Sequence, residues 1–430
     1  MKTVKDILWI LLTISCSTCS NGQKTNKAFQ IIDIESSMNN LEIINLSQFA
    51  SSIKYVPLKT NGNTFISYIS ECAFYANFIL VTNLKQCLLY DYEGNLITTV
   101  GTEGRGPGEY QFVSKACFNN DTNIYMQSLR DLIEYRIDGS FVKKIKNRFM
   151  FNNSMYEYTR NWIIINDSLL FCHIPNPTGN IKYKALLTND DGEIIKSYAN
   201  HIFFSREKPI SNSVDNANIY QFDKIIYFKE FFNDTLFYLD SQYNLIPKYV
   251  FNFGKYKEPV SEREKPVREI GLSMSKYLYV SDVFQTDKNL YLNCWFGDHF
   301  PAKRLTPKII TFPNGEVVKG WINTDRALGI YNKKTKRISF CKPTNTDNPL
   351  YTSGLYNDID AGPRFFPKKQ VNDSTMVMWM DAKQLRDHVA SNDFKNNVPK
   401  FPDKKKELEN LANSLTEFDN AVLMFVTFKK

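Results

Sequence analysis

One unit recurs along this chain and limits its fold more than any other feature: an apolar run, a short polar turn, and a second apolar run. Leu88-Leu89-Tyr90 leads through Asp91-Tyr92-Glu93-Gly94 into Leu96-Ile97, and Leu132 to Tyr135 leads through Asp138-Gly139 into Phe141-Val142. Ala185-Leu186-Leu187 passes through Asp190-Asp191-Gly192 into Ile194-Ile195, and Leu236 to Leu239 passes through Asp240 to Asn244 into Leu245-Ile246. Leu328 to Tyr331 passes through Asn332-Lys333-Lys334 into Arg337-Ile338. Asp-Gly between apolar runs is a hairpin signal, because Gly accepts the positive φ that tight turns impose.

The spacing is more informative than the turns themselves. Gly94 to Gly139 is 45 residues, Gly139 to Gly192 is 53, and Gly192 to Asn244 is 52. A period near 40–50 residues with four short strands per unit is the mark of a β-propeller. The 90 residues from Asn244 to Lys334 read as one blade with a long insertion near 297–322. A β-sandwich needs about seven to nine strands, fewer than this chain offers. The expected fold is all-β, a six-bladed β-propeller with short helical insertions near the C-terminus. Its blades fall at 53–100, 112–146, 158–199, 217–253, 276–342 and about 350–430. Helices are expected at Met380–Ala390 and Asp403–Phe418, the second with Leu408, Leu411, Leu415 and Phe418 along one face. A last strand follows at Ala421–Phe428. The early strand Phe29–Ile34 is expected to pair with that last strand and close the ring, which hides edges that otherwise invite aggregation.

The composition fits. With 24 Tyr and 32 Phe in 430 residues and 43% apolar content, the chain can cover strand surfaces and fill a core. The net charge of +8 is spread out, and the one dense run, Lys404-Lys405-Lys406, is followed by Glu407 and Glu409. That pattern is a solvated helix end, and no nucleic-acid motif accompanies it.

The N-terminus reads as an export signal over residues 1–15. Lys2 and Lys5 precede the apolar run Ile7–Leu12, which is too short to span a bilayer. Ser15-Cys16 is similar to a bacterial lipobox, with Thr13 where Leu is usual; Cys19 and an ordinary cleaved signal are the competing readings. Residues 16–52 then form an N-terminal linker with the ring-closing strand, and 53–430 the propeller. Cys72, Cys87, Cys117, Cys172, Cys294 and Cys341 show no tight spacing. Cys72 and Cys87 fall on the first and third strands of one sheet, about 9–10 Å apart, too far for a disulfide. Buried free thiols are expected, and with no CxxC no zinc site is.

Several motifs resemble a known family. Tyr55-Val56-Pro57-Leu58 opens the first blade and Gly101 to Tyr110 (GTEGRGPGEY) closes it. Phe232-Asn233-Asp234-Thr235-Leu236-Phe237 lies in the fourth blade, Asn357-Asp358-Ile359-Asp360-Ala361-Gly362-Pro363 begins the sixth, and Asp419-Asn420-Ala421 precedes the last strand. Over nearly the whole mature chain this resembles the six-bladed β-propeller lipoproteins of anaerobic gut bacteria, most of which have no assigned activity. The glycine-rich segment is similar to the linker of NHL-type repeats, although it occurs clearly once rather than in every blade.

Catalytic signatures are missing from the sequence. There is no HExxH, no GxSxG, and no Lys-Ser/Thr pair after the glycine-rich segment, where Phe112 and Val113 read as strand. The segment reads as an inter-blade connector and Asp190 to Glu193 as a hairpin turn. Asp358 and Asp360 suit either a turn or a cation, with the turn favoured.

Candidate ligand contacts sit on loops, which carry function on rigid scaffolds. They are Arg105 and Glu109 in the first connector, Trp295, Asp298, His299 and Arg304 in the fifth-blade insertion, and Asp358, Asp360 and Arg364 at the sixth-blade entry. The expectation is a mixed-charge pocket at the channel mouth, without metal or cofactor, binding a glycan, peptide or envelope protein. The chain would then be a non-enzymatic binding protein in the periplasm or on the outer membrane. A glycan hydrolase or lyase is the alternative, recognisable by two carboxylates about 5–9.5 Å apart in the cleft.

Overall fold

The computed structural model describes residues 29–430 apart from 61, 63, 120–121, 152–157, 160, 167, 208–215, 267–272, 300–305, 312–316, 323–325 and 344–352. Six small antiparallel sheets stand as blades around one axis. From the axis outward, blade 1 holds Glu71–Tyr75, Phe78–Thr82, Cys87–Asp91 and Leu96–Thr99. Blade 2 holds Lys115–Phe118, Asn123–Ser128, Asp131–Arg136 and Phe141–Ile145, and blade 3 holds Asn161–Asn166, Leu169–His173, Tyr183–Asn189 and Ile194–Ala199. Blade 4 uses Ala217–Phe222, Ile225–Glu230, Thr235–Leu239 and Leu245–Asn252. Blade 5 uses Tyr279–Gln285, Asn289–Trp295, Arg326–Asn332 and Arg337–Cys341, with the hairpin Thr306–Thr311 and Val317–Ile322 inserted between its second and third strands.

The recurrent turn of the sequence is the outer hairpin of blades 1 to 5. In each, an Asp or Asn side chain accepts from backbone amides further on. Asp91 takes Glu93 and Asn95, Asp138 takes Ser140, Asn189 takes Glu193, Asp240 takes Gln242 and Asn244, and Asn332 takes Lys334 and Thr335. These Asx turns bind the backbone locally and fix the hairpin register.

Blade 6 has no such hairpin. Its strands are Lys369–Asn372, Thr375–Met380, Val422–Phe428 and, outermost, Ala50–Pro57 from the other end of the chain. Ring closure therefore differs from the expectation. Phe29–Ile34 does not meet the last strand: Gln30–Asp33 pairs parallel with Tyr249 to Asn252 on the rim of blade 4. The closing pair is Ala50–Pro57 against Val422–Phe428. Tyr55-Val56-Pro57-Leu58 thus completes blade 6 rather than opening blade 1. The physical reason is burial on both faces: Ile53 packs into the seam with blade 5 and Val56 into the seam with blade 1, whereas the four-residue strand Gln30–Asp33 buries Ile32 alone and suits a rim. Between them Leu41–Glu42 pairs parallel with Phe340–Cys341, so the N-terminal segment runs along blades 4, 5 and 6 in turn.

Each blade junction is an apolar seam. Val81, Tyr90, Leu423 and Phe425 pack between blades 6 and 1; Leu89, Met126 and Ile133 between 1 and 2; Leu132, Trp162 and Leu170 between 2 and 3. Phe171, Leu187 and Phe228 pack between blades 3 and 4, Tyr227, Phe251, Val280 and Leu292 between 4 and 5, and Leu328, Ile330, Met376 and Met424 between 5 and 6. Each buried side chain contributes about 1.5–3 kcal/mol, so the seams hold the ring.

The helices inside blade 6 are Ala382–Ala390, Asn392–Asn396 and Pro402–Ser414. Asp381 and Gln384 make a capping box on the first, and Pro402 starts the last at a position where its missing N–H costs nothing. The last helix ends at Ser414, before Phe418, which is 73% exposed and takes no part in the apolar face expected for it. Thr416 and Asp419 bond locally and stop the helix there. The six body cysteines are free thiols, five of them buried. Among the described residues no helix is long and apolar enough to cross a membrane. Cys16 and the export signal lie outside the described residues.

Candidate functional site

The innermost strands meet around the axis through a polar girdle. Lys369 of blade 6 pairs with Glu71 of blade 1 at 2.5 Å, and Lys115 of blade 2 stands 3.9 Å from the same Glu71 oxygen. Lys115 also donates to Asn161 of blade 3 at 2.6 Å, and Asn161 donates to the carbonyl of Ala217 in blade 4. Asn218 accepts from the Val283 amide of blade 5 at 3.1 Å, and Gln285 of blade 5 exchanges two hydrogen bonds with Gln370 of blade 6. All six junctions are bridged. Burial pushes the Glu71 carboxyl up, but Lys115 and Lys369 outweigh it and hold the group below its usual range.

One face of the ring, here the upper face, carries the blade-to-blade connectors and the turns between second and third strands. By connectivity every sequence-predicted contact among the described residues lies on this face. They do not form one cluster. Arg105 is exposed in the connector after blade 1, while Glu109 folds back to accept from the Gly106 amide at 2.7 Å. Gly101 opens that connector at φ +65°, and a Cβ there would lie 2.5 Å from the Tyr135 hydroxyl, which is why the position is glycine. Phe112 and Val113, expected to begin a strand, lie in the connector, and blade 2 starts at Lys115.

Asp358 accepts from the Ser47 amide and hydroxyl at 2.9 and 2.6 Å and pairs with Lys400 at 3.1 Å, tying down the N-terminal segment. Asp360 is buried in its own turn, taking Asn357 at 2.6 Å, the Gly362 amide at 2.8 Å and the Tyr55 hydroxyl at 3.3 Å. Burial raises its pKa. Asp360 is thus engaged within its own turn, whereas Asp358 is engaged by Ser47 and Lys400 from distant parts of the chain. Among the described residues no group of three or more His, Cys, Asp or Glu could hold a metal ion. Arg364 donates to the Lys342 carbonyl and lies over Tyr356. In blade 5, Asp298 accepts from the Ser275 hydroxyl at 2.9 Å and His299 packs 4.5 Å from the Tyr256 ring. Trp295 joins Phe231, Phe232 and Tyr279 in an aromatic cluster, with Arg326 over its ring. Arg304 lies outside the described residues.

A small open pocket, with about 30 Å³ of room for water-sized groups, lies on this face between blades 3 and 4. Its lining is Asn176, Asn200, Ile202, Phe204, Arg206, Glu230, Phe232, Asn233 and Arg263. The turn after Ile225–Glu230 builds one wall. Asn233 donates to Glu230 Oε2 at 2.9 Å and accepts from the Thr235 amide at 3.0 Å. Beneath it, the buried Lys229 ammonium donates to the carbonyls of Glu230 and Asn233 at 2.6 and 2.5 Å. Burial brings Lys229 down to about 7.

Arg263 fixes the next wall: it donates to Glu258 at 2.9 Å and to the Phe232 carbonyl at 2.7 Å, its guanidinium 4.6 Å from the Phe232 ring centre. Arg206 donates to the carbonyls of Pro177 and Arg263 and lies over Phe204. Asn176 and Asn200 lock the blade 3 loops through Ile181 and Ile202. Glu230 Oε2 also takes Lys184 at 2.8 Å, whereas Oε1 has no hydrogen bond among the described residues. Burial would raise Glu230, but the charge and hydrogen bond of Lys184, with the Asn233 amide, outweigh it and hold the carboxyl below its usual range. His173, pushed down to about 4 by burial, stays neutral at pH 7. A charged carboxylate edge, amide groups and two aromatic faces therefore meet in one concavity.

Sequence reasoning missed this pocket. Its lining comes from four separated segments, and Phe232-Asn233 within the fourth-blade motif was the one part it singled out.

Comparisons with known proteins agree with the fold. No curated protein matches the chain. A crystal structure from Bacteroides fragilis, of a protein named for its predicted export, is similar with TM-score 0.66 at 18% identity, covering 93% of this chain and 100% of that one. A member of the DUF4221 family from Bacteroides vulgatus is similar with TM-score 0.45 at 13% identity, over 88% and 97% of the two chains. The family model for the domain of unknown function DUF4934 matches residues 29–427. With six blades in place and that match spanning the whole ring, this chain belongs to the DUF4934 family.

Proposed function

We propose that this propeller is a non-enzymatic binding protein of the bacterial cell envelope, exported and anchored by a lipid on Cys16, which takes a glycan in the pocket between blades 3 and 4. The observation that carries the reading is the pocket itself. It sets Glu230 Oε1, a carboxylate oxygen with no hydrogen bond among the described residues, beside carboxamides and the rings of Phe204 and Phe232. Sugar rings present hydroxyls at their edges and C–H groups on their faces, so such a lining matches them. The name of the Bacteroides fragilis neighbour supports export, and the single NHL-like connector and the Ser15-Cys16 pair support the lipoprotein reading. Strand Gln30–Asp33 runs parallel to Leu245–Asn252, toward the upper face, so the described chain begins on the side of the ring opposite the pocket.

Glycan-array binding by the purified protein, repeated with Glu230→Gln and Phe232→Ala, tests the reading. Both variants are expected to bind the array ligand at least about tenfold more weakly. Equal binding by wild type and both variants places the site elsewhere. Mass spectrometry of the mature N-terminus is expected to find an acylated Cys16; an unmodified N-terminus downstream of it removes the anchor.

A further inference from the structure

Four large apolar side chains stand out on the upper face of blades 1 and 2: Tyr68, Leu84, Phe112 and Leu129, each 44–53% exposed. They come from four different loops that backbone contacts bind together. The Leu84 amide donates to the Tyr68 hydroxyl at 3.4 Å, and the Val113 amide donates to the Leu84 carbonyl at 3.0 Å. The Gln111 amide donates to the Ser128 hydroxyl at 3.1 Å, which brings Phe112 beside the Leu129 turn. The result is one apolar crescent around the channel mouth, separate from the pocket of blades 3 and 4.

Leu129 occupies a tight turn. It is the first of two residues joining Asn123–Ser128 to Asp131–Arg136, and its φ is +56°. Glycine is the usual residue at that place in a two-residue hairpin, because a side chain there crowds its own carbonyl. Ala76 takes the same backbone at the same place in its own two-residue hairpin, so what sets Leu129 apart is a large apolar side chain left 44% exposed there. The charges beside the crescent show what contact there requires. Lys85, next to Leu84, and Arg105 in the connector are exposed and make no ion pair among the described residues. The nearby carboxylates Glu109 and Asp131 are already used, by the Gly106 amide and by Lys144 with the Asn147 amide, leaving Glu103 as an exposed counter-charge.

We propose that this crescent docks a segment of a partner protein carrying aromatic or aliphatic side chains beside carboxylates, the apolar groups seated against Leu84, Phe112 and Leu129 and the carboxylates facing Lys85 and Arg105.

A displayed library of random twelve-residue peptides, panned on the purified full chain, tests this. Enriched peptides are expected to pair Asp or Glu with large apolar residues, and to bind Leu129→Asp or Phe112→Asp at least tenfold more weakly. The double variant Lys85→Glu/Arg105→Glu is expected to weaken them similarly and to favour basic peptides instead. All these positions are exposed, so melting temperatures that match wild type separate lost docking from lost folding. Peptides that bind the variants and wild type equally overturn the proposal. So does co-sedimentation with phosphatidylglycerol vesicles that depends on the same residues, which assigns the crescent to a membrane. Dimerisation of the wild type that Leu129→Asp abolishes assigns it to a second copy and equally overturns the proposal.

Discussion

Replacing Lys229 by methionine tests how the pocket wall is held. The lysine is fully buried, donates to two backbone carbonyls of the Glu230–Asn233 turn, and lies 5.8 Å from the centre of the Phe251 ring. Burial lowers its pKa from 10.5 to about 7, against the pull of Glu230, Asp234 and Asp282. At about 1.36 kcal/mol per pKa unit, that difference is roughly 5 kcal/mol between the charged and neutral forms. Between pH 7 and 10.5 the unfolded chain keeps the proton that the folded one has released. Wild-type stability therefore rises with pH across this window, and falls back as pH drops to 7. From pH 7 to 9 the rise from this one group is about 2–3 kcal/mol. Lys229→Met abolishes that contribution and leaves the Asn233 carbonyl without a donor among the described residues, at about 1–2 kcal/mol, while the Glu230 carbonyl keeps the Asn233 amide. Urea unfolding followed by tryptophan fluorescence at pH 7, 8 and 9 reads both effects. The stability difference between variant and wild type is expected to move by about 2–3 kcal/mol, to the disadvantage of the variant, as pH rises. Other alkaline groups titrate in both proteins and cancel. Urea midpoints that shift in parallel from pH 7 to 9 refute the argument.

Further outcomes follow from single contacts. Asn420 is buried, accepting from the Ile66 amide at 2.7 Å and donating to the Thr64 carbonyl at 3.1 Å, so Asn420→Ala is expected to cost about 2–4 kcal/mol in urea unfolding. A loss below about 0.5 kcal/mol shows that the loop before blade 1 does not rely on it. Asp358 would be raised by burial, but its bonds to Ser47 and Lys400 hold it below the usual range, so it stabilises the folded state above about pH 4 and loses that effect as pH falls through its folded value. Asp358→Asn is expected to be about 1–2 kcal/mol less stable than wild type at pH 7, with the gap narrowing as acid protonates Asp358; a gap unchanged with pH contradicts this. Leu129→Gly relieves the left-handed backbone, and a gain of about 1 kcal/mol is expected in thermal unfolding. A loss of stability shows that the leucine is held by internal packing instead.

The repeat was legible because its turns are chemically local. Asp91, Asp138, Asn189, Asp240 and Asn332 each close a hairpin with atoms two to four residues away, so each leaves a mark in a short window. Blade 6 escaped that reading because its outermost strand comes from the opposite end of the chain and no turn joins the two. A strand such as Gln30–Asp33, four residues with one buried side chain, carries no sequence mark of which edge it will join. The site was less legible than the fold. Asp358 and Asp360 stood out as paired carboxylates, but Ser47, Asn357 and Tyr55 engage them from distant positions. Arg206, Glu230 and Arg263 meet only through blade packing, and none belongs to a motif that spacing reveals.

The placement of the closing strand also orders the events of folding. Ala50 pairs with Phe428, 378 positions further along the chain. If the chain threads through a membrane from its N-terminus, blades 1 to 5 gain all their inner strands while Ala50–Pro57 still waits for a partner. Loop closure over such a distance is entropically costly and slow, so the last blade sets the pace. Until Val422–Phe428 arrives, the unpaired strand offers an open edge to any other chain nearby. A ribosome or translocon stalled a few tens of residues before the end would therefore release a nearly complete ring with its most aggregation-prone surface uncovered.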